Sequence, residues 1–149
     1  MAKTIWKKSR GKLGIFAPLF GEWVAEADSP MGKFKCVRSF DTALSGNYVL
    51  LNAKWMFKGS TYEEQAMIGM KDGKICFWSF TNDGKNSFGE LADGTDVHPE
   101  AIAFEAQMPA GLARMIYRPD PDGGFHWAVE ARNKKGWKRF TEHHYQKAK

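Results

Sequence analysis

Turn-forming residues recur at short, even intervals along the whole chain, and this punctuation constrains the fold more than any other feature. Nine short segments carry Gly, Asn, Asp or Pro: residues 29–32, 43–47, 58–60, 71–74, 82–85, 92–95, 109–111, 119–124 and 133–136. These residue types supply a positive or preset φ where a chain reverses. Asp72-Gly73 and Asp83-Gly84 are the strongest hairpin signals among them. No segment between turns has room for a crossover helix, so the pattern predicts an antiparallel sheet.

The segments between the turns are rich in aromatic and β-branched residues, which favour strands. We predict about ten strands, at residues 21–28, 33–41, 47–57, 61–70, 74–81, 86–92, 99–108, 111–118, 124–132 and 136–145. This spacing is typical of an all-β barrel or sandwich, and the short connections favour an up-and-down barrel over a Greek key. Residues 13–20 are predicted to form a short helical cap on a single domain, residues 13–146, and we expect the basic residues 1–12 to fray.

Alternation along the strands predicts which side chains face the barrel interior. Trp23 shares a face with two alanines, opposite acidic residues, and Trp127 lies on the apolar face of its strand. Arg38 shares a face with Phe34, Cys36 and Phe40, so it is predicted to point inward among apolar neighbours. Residues 47–57 are apolar on both faces, and the pattern does not decide between them.

The net charge of +5 is distributed as an acidic body with two basic ends. Residues 1–12 carry five positive charges and no negative one, and residues 132–149 carry seven positive charges and one negative. Because the last strand of a closed barrel pairs with the first, we expect the two ends to form one basic patch. We interpret that patch as a solvated face and expect no nucleic-acid partner, since neither an RNA-stacking motif nor a recognition helix accompanies it.

The remaining compositional features point to an ordinary globular domain. Cys36 and Cys76 match neither a zinc nor a redox spacing, and we expect two small buried side chains rather than a disulfide. No apolar stretch is long enough to span a bilayer. Residues 13–20 are too short and too interrupted by Gly and Pro for a secretory signal, so a cytoplasmic location is the default expectation. The sequence leaves open whether the protein forms a homodimer through exposed strands.

Several segments carry a resemblance to a known family. The run Leu19-Phe20-Gly21-Glu22-Trp23 is similar to the start of calycin proteins, in which a short helical turn leads into Gly-x-Trp. An aromatic strand with Arg38, then Leu44-Ser45-Gly46, then residues 62–72, and a closing strand from Gly136-Trp137 to Tyr145 extend the likeness over about residues 13–146. In this ordered set the chain resembles bacterial lipocalin-like proteins, distantly related to nitrobindins and to fatty-acid-binding proteins. The resemblance implies a single antiparallel up-and-down barrel.

That resemblance also suggests what the barrel interior does. Fatty-acid-binding barrels use interior Arg and Tyr side chains to hold a ligand carboxylate, and nitrobindin-like proteins bind haem through a C-terminal His. His143 and His144 are adjacent on a predicted strand, so at most one of them points inward. A surface histidine pair is the interpretation we favour, and we predict no cofactor, with haem as the alternative.

Arg38 is the strongest functional lead. A buried guanidinium is costly unless it meets a carboxylate, a phosphate or a bound anion. Tyr48 or Tyr117 could assist Arg38 in holding an acidic ligand, whereas an internal pair with Glu64 or a bulge that turns Arg38 outward are alternatives of equal weight. The predicted ligand-binding residues of the barrel interior are Trp23, Arg38, Tyr48, Trp55, Glu64, Trp78, Tyr117 and Trp127. Simple core packing is the alternative for each aromatic ring among them.

The sequence offers little for catalysis. Glu64 and Glu130 could act as an acid–base pair, but alternation places Glu130 outward. Asp93, Asp96 and His98 lie together in a Gly-containing loop. In such a loop these residue types more often form hydrogen bonds within a turn than bind a metal. We therefore predict no catalytic and no metal-binding residues. The predicted function is binding of a small hydrophobic or amphipathic ligand, with acidic character open. A small isomerase, cyclase or decarboxylase is the first alternative, and a haem or nitric-oxide protein is the second.

Overall fold

The computed structural model describes residues 4–30 and 32–148. A short 3₁₀ helix, Gly14–Leu19, precedes ten strands. The strands are β1 (Gly21–Ser29), β2 (Gly32–Ala43), β3 (Tyr48–Phe57), β4 (Ser60–Lys71), β5 (Lys74–Thr81), β6 (Asn86–Ala92), β7 (Ile102–Met108), β8 (Gly111–Pro119), β9 (Phe125–Asn133) and β10 (Gly136–Lys147).

Each strand pairs with the next in antiparallel fashion, and β1 pairs with β10 to close the barrel. The closing seam is short, with Trp23 opposite Lys147 and Val24 opposite Gln146, and the Ala148 amide donates to the Glu22 carbonyl at 2.9 Å. The predicted fold class is therefore confirmed. Among the described residues, no helix is long and apolar enough to cross a membrane.

The 3₁₀ helix plugs the end of the barrel from which β1 starts. Phe16 and Leu19 are fully buried, and the indole Nε1 of Trp23 donates a hydrogen bond to the Leu19 carbonyl at 2.7 Å. Gly21 makes the bend between helix and strand with a φ of 117°, a conformation that favours glycine. The other end, where the chain turns between β1 and β2 and between β9 and β10, is the mouth of the barrel.

The structure decides the inner face of β3. Val49, Leu51 and Ala53 are buried in the core, and the same side of the strand carries Trp55. Tyr48 lies on the other side, where its ring covers Gly69 of β4 so closely that a Cβ atom there would collide with it. Because both faces of this strand are apolar, only the pairing with β2 and β4 selects the inner one.

The basic residues of the two chain ends are not gathered in one place. The amides of Ile5 and Trp6 donate to the Glu100 carboxylate, so the N-terminal segment packs on the β6–β7 loop at the capped end. The basic residues around the β9–β10 turn, among them Lys134 and Lys135, lie at the mouth. Lys147 of the C-terminal part instead lies at the capped end, opposite Trp23. The basic residues are therefore divided between the two ends of the barrel, and the expected single patch is not found among the described residues.

Candidate functional site

Arg38 lies in the middle of β2 and points into the barrel. It stands in a transverse row with Trp23 of β1, Ala53 of β3 and Glu64 of β4. The pairing of β2 with both neighbours runs without a shift in register, so the alternative of a bulge that turns Arg38 outward is wrong. Its side chain is 0% exposed, which makes Arg38 the largest fully buried side chain of the protein's described part.

The buried guanidinium has few hydrogen-bond partners. Nη1 donates to the hydroxyl of Tyr117 at 2.7 Å, while Nε and Nη2 are buried with no hydrogen-bond partner. Among the described residues, no carboxylate lies within 4.0 Å of an Arg38 nitrogen. A full positive charge is thus enclosed with one neutral acceptor, an arrangement that costs free energy unless an anion joins it.

Aromatic rings surround the charge. The Arg38 Cζ atom lies 4.5 Å from the ring centroid of Trp127, 5.1 Å from Tyr145, 5.3 Å from Trp55 and 5.8 Å from Tyr117. Ring faces attract the cation and offset part of its lost hydration. They offer no acceptor to the N–H groups in the guanidinium plane, so the hydrogen-bonding deficit of Arg38 remains.

The tyrosine, cysteine and histidine side chains around Arg38 are uncharged at neutral pH. Burial raises the pKa of Tyr117 to about 12, although Arg38 pulls it down in part, and burial likewise raises the pKa of Tyr145. The pKa of the Cys36 thiol is also raised by burial. Burial and the nearby guanidinium lower the pKa of His143, which keeps its imidazole neutral. None of these groups therefore neutralises the charge of Arg38.

Further buried polar atoms beside Arg38 lack a hydrogen-bond partner. They are Nε1 of Trp127, the hydroxyl of Tyr145 and Nδ1 of His143, whose ring stacks on Trp127 at a centroid distance of 5.9 Å. Together with Nε and Nη2 of Arg38 they are all the orphaned buried side-chain atoms among the described residues. We call Arg38, Tyr117, Trp127, His143 and Tyr145 the Arg38 cluster. Native interiors leave few polar groups unpaired, so their concentration in one place marks the Arg38 cluster as a candidate binding site.

Glu64 also faces the interior, next to the Arg38 cluster. It accepts a short hydrogen bond from the Ser79 hydroxyl, and it attracts Arg38 electrostatically without forming an ion pair. Glu64 and the neighbouring Thr81 are only partly buried, as are Met115 and Val129 on the facing wall. The interior side chains are thus less completely buried at the level of Glu64 than in the capped half.

The structure gathers some of the predicted ligand-binding residues and separates others. Trp55, Tyr117 and Trp127 surround Arg38, and Glu64 lies beside them. The Trp23 indole is hydrogen-bonded to the 3₁₀ helix that closes the barrel end. Tyr48 lies on the outer face, and Trp78 packs against the exposed Phe88 at a centroid distance of 5.7 Å. Sequence reasoning missed Tyr145 as a member of the cluster, and it favoured a surface pair for His143 and His144, whereas His143 faces the interior. Alternation along β10, in which Tyr145 and His143 share a face, was the signal that could have found them.

Glu130 is not available as a catalytic partner for Glu64. It lies on the outer wall, where its carboxylate contacts Arg114 at 2.5 Å and Arg139 at 3.0 Å. Arg114 in turn holds both carboxylate oxygens of Asp96, at 2.8 and 2.9 Å. These four residues form a chain of ion pairs that fastens the loop 93–101 over β8 and β9.

Asp93, Asp96 and His98, the trio that the sequence places in one loop, also make structural contacts. The Asp93 carboxylate accepts a hydrogen bond from the Thr95 amide at 3.0 Å, and Nδ1 of His98 accepts one from the Glu100 amide. Both are local turn interactions of the kind that the sequence pattern suggests.

Comparison with models of known protein families gives no match, and neither does comparison with curated proteins. The closed ten-strand barrel is compatible with a calycin-like fold. Since a shared fold does not define an activity, function is inferred from the chemistry of the Arg38 cluster.

Proposed function

We propose that the protein binds a small acidic amphiphile inside the barrel, with the ligand's carboxylate at the Arg38 cluster and its apolar part directed to the mouth. The observation that carries this proposal is the concentration of unpartnered buried polar atoms around a guanidinium without a carboxylate partner. A buried guanidinium edge with further hydrogen-bond donors beside it is complementary to an anion.

The geometry of the guanidinium favours a carboxylate in particular. Nη1 is engaged by Tyr117, and the free atoms Nε and Nη2 form one edge of the planar group. Two N–H groups on one edge match the two oxygens of a carboxylate, which gives a pair of parallel charge-assisted hydrogen bonds. The Tyr145 hydroxyl and the Trp127 indole N–H are additional donors for the same anion.

The walls between the cluster and the mouth suit an apolar chain. Trp55 lies next to Arg38 and packs on Tyr62 toward the mouth, where Phe34 and Phe57 are also in contact. The inner face opposite carries small side chains, including Ala106. An amphiphile would thus place its charge deep inside and bury its chain against aromatic rings, the usual balance of an apolar pocket with few polar groups.

Matched ligands test the proposal. We expect a medium-chain fatty acid to quench tryptophan fluorescence saturably at neutral pH, and the alcohol of the same chain length to bind about 10- to 100-fold more weakly, the range for losing charge-assisted hydrogen bonds. Arg38→Met should abolish the preference for the acid, whereas Arg118→Met, on the outer wall, should preserve it. Equal affinity for acid and alcohol, or an unchanged preference in Arg38→Met, would overturn the proposal.

Native mass spectrometry extends this test to the physiological ligand. Protein purified from its own host should retain an acidic molecule whose mass is unchanged after incubation. Turnover of the retained molecule would instead favour the enzymatic alternative, with Glu64 and Ser79 as the groups to examine.

A further inference from the structure

A second group of polar side chains lies on the outer wall, on the opposite side of β10 from the Arg38 cluster. His126 of β9 and His144 of β10 stand directly opposite each other in the register. Their imidazole rings are stacked, with centroids 4.5 Å apart and an angle of 13° between the planes. Asp120, in the connection between β8 and β9, faces the edge of both rings.

The donor atoms of these residues converge. Nε2 of His126 lies 2.7 Å from Oδ2 of Asp120, and Nε2 of His144 lies 3.5 Å from the same oxygen. The carbonyl oxygen of Gly123 is 3.2 Å from Nε2 of His144. One ligand atom from each of the three side chains lies within 4.8 Å of the other two.

We propose that Asp120, His126 and His144 bind a divalent first-row transition-metal ion, with Zn²⁺ as the representative. Ligand atoms at 2.0–2.1 Å from a tetrahedral zinc ion are about 3.3 Å apart. Here Oδ2 of Asp120 lies 2.7 and 3.5 Å from the two Nε2 atoms, so one ion can reach all three once the stacked rings turn their Nε2 lone pairs toward it. Two imidazoles and one carboxylate are a ligand set that suits such ions, and three protein ligands leave a position for water or a small oxygen ligand. The Gly123 carbonyl stands where it could serve as a fourth ligand.

The fold holds the Asp120 carboxylate in place before any ion arrives. The second carboxylate oxygen of Asp120, Oδ1, accepts a hydrogen bond from the Asp122 amide at 2.8 Å. The Asp120 amide donates to the Gly124 carbonyl at 3.1 Å, and the Gly123 amide donates back to the Asp120 carbonyl at 3.0 Å. An outer hydrogen bond of this kind orients a ligating carboxylate.

The surroundings are compatible with a cation. The three side chains are 17%, 21% and 35% exposed for Asp120, His126 and His144, so an ion can enter from solvent yet is partly shielded from it. Arg118 lies across from His126 on β8, but its guanidinium is directed to Glu142 at 3.4 Å. The positive charge of Arg118 is therefore already paired.

Calorimetric titration of the full chain with Zn²⁺ tests the site. We expect one ion per chain, and at least about 10-fold weaker binding in each of His126→Gln, His144→Gln and Asp120→Asn, since each removes one of three ligands. Asp122→Asn is the matched control, because only its backbone amide serves the site. Mg²⁺ and Ca²⁺ should not compete, since both prefer all-oxygen ligand sets.

A measurement on the unaltered protein keeps the outcome clear if a variant folds poorly. In proton NMR, Zn²⁺ should shift the imidazole signals of His126 and His144 and leave those of His98 and His143 in place. Absence of saturable one-to-one binding would overturn the proposal. The three residues would then form only an Asp–His hydrogen bond and a stacked pair of imidazole rings. Binding that is unchanged in His144→Gln, or a shift confined to His98, would overturn it as well.

Discussion

The guanidinium of Arg38 donates its one hydrogen bond to the hydroxyl of Tyr117, 2.7 Å away across the barrel interior. The two residues come from β2 and β8 and are 79 positions apart in the chain. The pair fixes the direction of the guanidinium, and the Nε–Nη2 edge has no hydrogen-bond partner. That edge is where the proposed ligand carboxylate would bind.

Replacing Arg38 by methionine should therefore not destabilise the ligand-free protein. Exchange of a buried, poorly compensated charge for an apolar side chain of similar length is expected to leave the free energy of unfolding unchanged or raise it by about 1–4 kcal/mol. Urea denaturation in delipidated samples measures this, with Arg118→Met as the control. A loss of more than about 2 kcal/mol would mean that Arg38 is already well paired without a ligand.

Tyr117→Phe should have the opposite effect. It removes the only acceptor of the Arg38 guanidinium and leaves another buried donor unsatisfied, which is expected to cost about 1–3 kcal/mol in the free energy of unfolding. Tyr145→Phe is a matched control, because the Tyr145 hydroxyl makes no hydrogen bond of normal geometry. It should reduce affinity for a fatty acid instead. Equal destabilisation by the two substitutions would contradict the assignment of these hydroxyls.

Local chemistry explains why the sequence predicted the barrel so closely. At Asp72 and Gly73 the φ angles are 53° and 78°, two consecutive positive values of the kind that a tight hairpin requires and that this residue pair supplies. The largest difference lies at the start of β7, predicted at residue 99 and found at Ile102. The loop before it is fastened by the ion pair of Asp96 with Arg114, a long-range contact that no local pattern contains.

The candidate site was predictable only in part, for a related reason. Alternation alone placed Arg38 inward, but the choice between Tyr48 and Tyr117 as its partner depended on the inner face of β3, which pairing decides. The alignment of His126 with His144 depends on an irregularity in β10 between Arg139 and Thr141, which shifts the register with β9. A sequence pattern gives the period of a strand, whereas such a shift is fixed by the neighbouring strand.

Arg114 should contribute more to stability than to function. Its guanidinium is 2% exposed, bridges Asp96 and Glu130, and lies 4.4 Å from the ring centroid of Trp137. Arg114→Met leaves the buried Glu130 carboxylate with a single partner, and we expect a loss of about 3 kcal/mol in the free energy of unfolding. Chemical denaturation measures this, and the preference of the protein for an acid over an alcohol should remain. A loss below about 1 kcal/mol, the value for a surface ion pair, would contradict the expected role.

The same ion pair should make stability depend on pH at acidic values. Hydrogen bonding to Arg114 lowers the pKa of Asp96 in the folded protein, below its value of about 3.9 in the unfolded chain. Between these two pKa values the unfolded state binds more protons, so the contribution of Asp96 is fully present above about pH 4 and is lost as the pH falls further. Asp96→Asn should therefore be less stable than the unaltered protein at pH 7, and the difference should shrink toward pH 3. Urea midpoints measured across this range test the linkage, with Asp41→Asn as an exposed control. A difference that stays constant with pH would show that Asp96 acts through hydrogen bonding alone and not through its charge.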